Sequence, residues 1–391
     1  MRLILFCLLF SLSSCWVVRA YRIRHMNLTD HTKLPSVVIS KPGTSIPFIP
    51  VTNKASYQWL ETLADSIIEG SETAALLIIR NDSLLYEKYF MGFNENSLLP
   101  SNSMAKSYTG TLLAIAIAEG KIGSIHDPVT KYLPSLSLRD NRFHNITLQH
   151  LLDMRSGLDF NEGSYTLWDD AMQLGLKKNL SKNILKVDIA EPPGKFKYQS
   201  INTQLLGLVV QRATGIPLQL YLQKKLWQPI GAESDASWNV DSKKRKQVLM
   251  SAGINATSRD FAKLGRLYIN NGSVHNTQVL QSSWIQSVAS IDTMEKYKGY
   301  KFQWWNNKIR ELYQVKENAQ RKRTRKKHAV IQPLDEGYEL KYRIAAYSAR
   351  GFLNQIIFVH PEKKTIIVRI GRGWKKDSRF IQSIYYLGEQ M

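Results

Sequence analysis

The sequence predicts an α+β protein, an α/β sandwich in which one antiparallel sheet is built from both chain ends and flanked by helices, with a mostly helical domain inserted between them. Three observations carry this reading. A helix and a β-hairpin come first, a helical block fills the middle, and strands return only near the end. Each end holds too few strands for a good sheet alone, so the economical solution joins them. The segment 104–120 is apolar nearly all round, which is the pattern of a buried helix.

The elements follow in order. "ASYQWLETLADSIIEG" (55–70) sets Trp59, Leu60, Leu63, Ile67 and Ile68 on one helical face. "AALLIIR" (74–80) and "SLLYEKYF" (83–90) flank Asn81-Asp82 and read as a hairpin. The long apolar helix 104–120 ends at Gly120. Shorter helices are expected at 147–154, 202–215 and 217–227. The helix 257–272 opens with Thr257 and Asp260, an acidic variant of the capping box. Strands are expected at 341–348, 353–360 and 364–371, before a final helix at about 377–388. The inserted helical domain spans about 104–290 within a catalytic unit of 54–390, and a cleft between the two parts is the natural place for a site.

The first 20 residues, "MRLILFCLLFSLSSCWVVRA", have the shape of an export leader: one Arg, an apolar run, then small residues. Cleavage after Val18-Arg19-Ala20, lipidation of Cys15 in a lipobox-like Leu12-Ser13-Ser14-Cys15, and an uncleaved anchor are all open fates. Each places the chain outside the cytoplasm, in the periplasm or anchored to a membrane. Residues 21–53 carry Pro35, Pro42, Pro47 and Pro50 and read as an extended tether. The only two cysteines, Cys7 and Cys15, lie in the leader, which excludes disulfides and Cys-ligated metal from the remainder. His25, His31, His144 and His150 have no metal-ligand spacing, so neither a metal nor another cofactor is expected. The net charge of +21 is concentrated in 242–246, 320–328 and 371–379, and 316–336 reads as a basic insertion before the last strands. Such runs are solvated loops first, and contacts to an anionic membrane or cell-wall surface second. No nucleic-acid motif accompanies them, so nucleic acid is not an expected partner.

"PSNSMAKSYTG" (100–110) holds the only S-x-x-K of the sequence, Ser103 and Lys106, where the buried helix begins. A serine is a common helix start, so the pair alone is weak evidence of chemistry. The position nevertheless suits a nucleophile. Residues three apart share a helix face, a dry lysine is disposed to act as a base, and a helix N-terminus favours developing negative charge. Tyr198 adds to this after Pro192-Pro193-Gly194, either as a core aromatic or as a phenol in the cleft. Tyr300, Phe302, Trp304 and Trp305 are further aromatics, placed either in the core or against the cleft.

"SMAK" and "PPGKFKYQSINTQLLG" resemble the S-x-x-K and Y-x-N elements of the serine β-lactamase and penicillin-binding-protein superfamily. The class C-related serine hydrolases, including the 6-aminohexanoate-dimer hydrolase-like branch, are the most similar subgroup. "ITLQHLLDMRSGL" (146–158), "AGINATSRDFAKLGRLYINNG" (252–272) and "YSARGFLNQIIFVHPEKKTIIVRIG" (347–371) follow in the family's order, so the resemblance covers about 55–390. It implies a β-lactamase/transpeptidase-like fold and an acyl-enzyme on Ser103. Lys106 and Tyr198 would move the proton, with the choice of base open. It also implies an oxyanion hole from the N–H groups of Ser103 and Ala349, since counting back from Pro361 sets Ala346-Tyr347-Ser348 at the family's K-T-G.

Two departures matter. Ser200 stands where the family has Asn, and the third motif keeps Ser348 but lacks Lys and Thr. Both argue against efficient β-lactam hydrolysis and leave acyl transfer intact. The resulting expectation is an exported serine hydrolase acting on a small molecule or short peptide with an ester or amide bond. A β-lactamase or DD-carboxypeptidase, and a silent envelope-binding protein on the same fold, are the alternatives.

Overall fold

Both chain ends feed one sheet. In chain order the strands of the two larger sheets are β1 (Ser36–Ile39), β2 (Ile49–Pro50), β3 (Thr73–Arg80), β4 (Ser83–Tyr89), β5 (Leu99–Pro100), β6 (Ala236–Asn239), β7 (Ile254–Ala256), β8 (Tyr300–Lys301), β9 (Trp304–Asn306), β10 (Tyr347–Gly351), β11 (Gln355–His360) and β12 (Thr365–Gly371). The helices that frame the site are α1 (Trp16–Arg22), α2 (Gln58–Ile68), α3 (Ala105–Ala118), α4 (Leu148–Leu152), α5 (Asp170–Leu176), α6 (Ser200–Thr214), α7 (Ser258–Ile269) and α8 (Arg379–Gln390). This computed structural model describes the chain apart from residues 1–15, 24–26, 164–165, 167–168, 291–298, 307–312, 315–337, 340–345 and 374–378. Cys7, Cys15, His25, the basic run 320–328, most of 371–379 and the start of the strand expected at 341–348 fall outside the described residues.

The main sheet runs β8-β9-β10-β11-β12-β3-β4-β2, antiparallel except where β2 lies parallel to β4. Its centre joins the C-terminal strand to the N-terminal hairpin, with Ile367 opposite Ile78 and Val368 opposite Leu77. Alternate residues of β3 serve two cores. Leu76 and Ile78 pack with α2 and α8 (Leu60, Ala64, Ile384, Leu387), while Ala75, Leu77 and Ile79 face the larger core of α3 and α7. Burial on both faces explains why these strands read as continuous apolar runs rather than alternating ones. Residues 105–116 of α3 are all buried, which accounts for its lack of a polar stripe. The hairpin and the helices at 55–70, 104–120 and 202–215 appear where the patterning places them.

Three features differ from the sequence expectation. The segment read as a tether is built into the fold: β1 pairs with β6 from Ser36↔Asn239 to Ile39↔Ala236, within a second sheet ordered β1-β6-β7-β5. Further on, Lys263 and Arg266 of α7 donate to the Ile46 carbonyl, Arg266 also donates to Pro47 O (2.9 Å), and the Arg266 guanidinium lies 3.8 Å from the Phe48 ring. Prolines remove backbone donors, and here buried cationic side chains serve the carbonyls left over. The hairpin β8–β9 was not expected, because its turn at Phe302-Gln303 has no glycine although both residues have positive φ (50° and 68°). Finally, Thr257 caps α7 through the Asp260 N–H (3.2 Å), but the Asp260 carboxylate accepts from the N–H groups of Glu233 (2.6 Å) and Ser234 (3.0 Å) and from the Thr257 hydroxyl. It therefore staples a neighbouring loop instead of closing a capping box.

Candidate active site

Ser103 lies in a single 3₁₀ turn, Asn102–Met104, that runs directly into α3. Asn102 has a left-handed φ of 45°, and its side-chain amide donates to Phe352 O (2.9 Å). Ser101 N–H donates to Ile254 O of β7 (2.8 Å). The residues before Ser103 are thus held from two sides, and the Ser103 side chain is left half-buried at the cleft wall. One helical turn on, Lys106 is 1% exposed and its Nζ is 2.9 Å from Ser103 Oγ. Nζ also reaches Ser251 O (3.4 Å) and stands 5.0 Å from the centre of the Tyr198 ring. Among the described residues no carboxylate lies within ion-pair distance of Lys106.

Tyr198 sits in the loop before α6, clamped by the unexpected hairpin. It stacks on Trp305 (5.4 Å between centres, 25° between planes) and meets Tyr300 edge-on (5.6 Å, 89°). The other two aromatics of that stretch belong to the core: Phe302 packs on Trp284 and Trp304 on Tyr268. Gln303 fixes the hairpin tip. Its amide nitrogen donates to Leu151 O and Leu152 O of α4 (3.1 and 2.9 Å), its amide oxygen accepts from Thr203 of α6, and its carbonyl accepts from Ser107 of α3 (2.7 Å). These bonds compensate the strain of a side chain held at positive φ.

Asp153, at the end of α4, completes the support by accepting the Phe302 N–H (3.0 Å). Its burial pushes the carboxyl pKa up to about 6, against lesser opposing contributions from that hydrogen bond and from Lys301. The folded state therefore holds a proton that the unfolded chain releases near pH 4, so stability falls as pH rises from about 4 to about 6 and stays lower above that. Asn at this position keeps an acceptor for Phe302 without the buried charge. Asp153→Asn is expected to gain on the order of 2 kcal/mol in urea unfolding at pH 8 and nothing at pH 4. Parallel pH–stability curves for the two proteins would contradict this.

Ser200, at the first position of α6, is held by Glu162, whose carboxylate accepts from its N–H and its hydroxyl (2.7 Å). Two residues on, Asn202 is fully buried and bonds Ser156 of the Arg-Ser-Gly-Leu stretch (2.5 Å). Nothing in the sequence singled out Glu162, which sits in an irregular loop far from Ser200 along the chain.

The structure brings Ser103, Lys106, Tyr198 and Ser200 to one cleft, while the side chains of Ser348 and Ala349 are buried. The Ser348 hydroxyl is fully buried between Tyr385 of α8 (2.7 Å) and Arg350 (2.8 Å). The Ala349 methyl is buried in the main core. Strand β9 pairs with β10 at Tyr347 and Ser348 only, so the far end of β10 is left to the Ser103 turn. Contacts with that turn come from Gly351, whose missing Cβ leaves room for the Ser101 carbonyl, and from Phe352. The chain then makes a tight turn at Phe352–Asn354, with Leu353 and Asn354 at positive φ.

Fold and site together define a member of the serine β-lactamase and penicillin-binding-protein superfamily. The chain belongs to the Beta-lactamase family, whose family model matches residues 61–386. It is 26% identical over 295 residues to the 6-aminohexanoate-dimer hydrolase of Paenarthrobacter ureafaciens, covering 70% of this chain and 74% of that enzyme. Among solved structures it is similar to a Bacillus anthracis protein assigned as a 6-aminohexanoate-dimer hydrolase, with a TM-score of 0.71 at 22% identity over 95% of this chain and 93% of the other. A class C β-lactamase superposes with a TM-score of 0.60 at 14% identity, over 87% and 98% of the two chains. Both structural likenesses concern the fold. The family is one of hydrolases, and its curated relatives here include that dimer hydrolase and the esterase EstB of Burkholderia gladioli.

Proposed function

We propose that this protein is an exported serine hydrolase that cleaves an ester or amide bond through an acyl-enzyme on Ser103. The observation that carries the reading is the 2.9 Å contact between Lys106 Nζ and Ser103 Oγ at the start of a buried helix. Ser103 Oγ attacks the carbonyl carbon while its proton passes to Lys106 Nζ. Tyr198, whose ring centre lies 5.0 Å from Nζ, then relays that proton to the leaving oxygen or nitrogen. Water then attacks the acyl ester and the same groups return the proton to Ser103. The developing oxyanion is met by the Ser103 N–H and by the Gly351–Phe352 end of β10, in place of Ala349.

The third motif lacks the Lys and Thr of the family's K-T-G, and its Ser348 hydroxyl is buried. Nitrophenyl esters are therefore expected to turn over at least about 100-fold faster than nitrocefin, on the scale of one lost charge-assisted contact. Nitrocefin as the better substrate would replace this reading with a β-lactamase.

We also propose export with lipidation at Cys15, a fate that, like an uncleaved anchor, keeps Arg19 and Ala20 in the chain. Ala20 is buried and Arg19 is bonded into the catalytic unit, so cleavage after Ala20 would remove packed residues. Arg19 donates to the carbonyl of Asp241, immediately before the exposed cations Lys243, Lys244, Arg245 and Lys246. A chain anchored just upstream of α1 would hold this loop near an anionic surface. Cys15→Ser should abolish incorporation of labelled fatty acid, and unchanged incorporation would rule the site out.

A further inference from the structure

The cavity that opens on Ser103 does not end at the catalytic unit. It has a volume of about 260 Å³ and passes Ser251 and Gly253 to a far wall that contains Arg19, Ile23, His31 and Leu34. These residues belong to the segment expected to be leader and tether. The wall is fastened by several bonds. Arg19 donates to Asp241 O (2.7 Å) and Leu176 O (3.2 Å), Lys33 donates to Arg22 O (3.1 Å), Asn239 donates to His31 O (3.0 Å), and Val240 N–H donates to Pro35 O (2.8 Å).

The remaining lining is mostly apolar, with Leu174, Leu176, Leu180, Val240 and Leu249 along the passage. The carboxylates that border it already have protein partners. Asp30 pairs with Lys33 (2.6 Å), Asp169 caps α5, Asp241 accepts the Leu180 N–H (3.1 Å), and Glu162 holds Ser200. Burial also favours the uncharged imidazole of His31, whose Nδ1 is hydrogen-bonded to Leu28 O (2.8 Å). An apolar passage whose charged rim is internally satisfied selects an uncharged hydrocarbon chain over an ionic one.

We propose that Arg19, Ile23, His31 and Leu34 form the far wall of a substrate pocket, and that the protein acts on esters or amides bearing an uncharged, unbranched apolar acyl chain. This rests on the serine hydrolase reading above. The N-terminal segment then sets the chain length accepted. Each methylene that enters before the wall is reached gains up to about fourfold in kcat/KM, and further carbons lose it.

The test is a series of nitrophenyl esters from acetate to dodecanoate, assayed on the full chain and on two variants with opposite expected effects. Ile23→Trp fills the far end and should lower the ratio of long-chain to acetate kcat/KM at least tenfold. Arg19→Ala releases the wall and should move the optimum to longer chains. General misfolding would not shift the optimum in opposite directions, and melting curves monitor it independently. A wild-type profile that is flat or falls from acetate onward, or the same optimum in all three proteins, overturns the proposal while acetate turnover keeps the hydrolase reading intact. No turnover of any ester or amide removes the hydrolase reading itself.

Discussion

Ser103→Ala and Lys106→Ala should each lower kcat/KM for ester hydrolysis by at least about 10³, and the double variant should be no worse than the poorer single one. Nucleophile and base act as one unit, so losing either removes the same step. The effect should appear in kcat, because Lys106 is buried under the turn and does not face the long apolar passage. Lys106→Arg should not rescue, since a guanidinium stays protonated and cannot take the proton. Multiplicative losses in the double variant would show that the 2.9 Å contact is not a functional pair.

The second large effect belongs to Gly351→Ala. Gly351 is extended, with φ −124°, so the requirement is for space and not for an unusual backbone conformation. A Cβ there would press on the Ser101 carbonyl and approach within 3.1 Å of Asn102 Cβ. Both residues lie immediately before Ser103. Pushing the turn away from β10 separates the nucleophile from its proposed oxyanion donor, and a misplacement of about 1 Å costs about 100-fold in rate. Overpacking should also cost about 1–3 kcal/mol of stability. The expected result is a folded protein with kcat reduced about 100-fold and intact substrate binding. Wild-type kcat in this variant would place the oxyanion site elsewhere.

The sequence was most informative where a pattern is local. The apolar periodicity of 55–70 and 104–120, the Asn-Asp turn between β3 and β4, and the S-x-x-K at a helix start each depend on neighbours within a few residues. What escaped depends on partners distant in the chain. Residues 36–50 are proline-rich and read as a tether, yet their carbonyls are claimed by Lys263 and Arg266, more than 200 residues away. Glu162 carries no motif and gains meaning only from its bonds to Ser200. The β8–β9 hairpin was hidden because Phe302 and Gln303 occupy left-handed positions usually given to glycine or asparagine. Its strain is tolerated because α3, α4 and α6 all bond its tip, which is also what sets Tyr198 between Trp305 and Tyr300. The Ser348 hydroxyl, expected at the site, is instead bonded to Tyr385 and Arg350, partners that no local pattern reveals.

The central claim is that Ser103 is the acylated nucleophile. Incubation of the full chain with a fluorophosphonate probe, followed by proteolysis and peptide mass mapping, tests it most directly. One stoichiometric adduct is expected on the peptide containing Ser103, formed slowly or not at all in Lys106→Ala and absent in Ser103→Ala. An adduct on another residue, or equal labelling of Ser103→Ala and wild type, would contradict it.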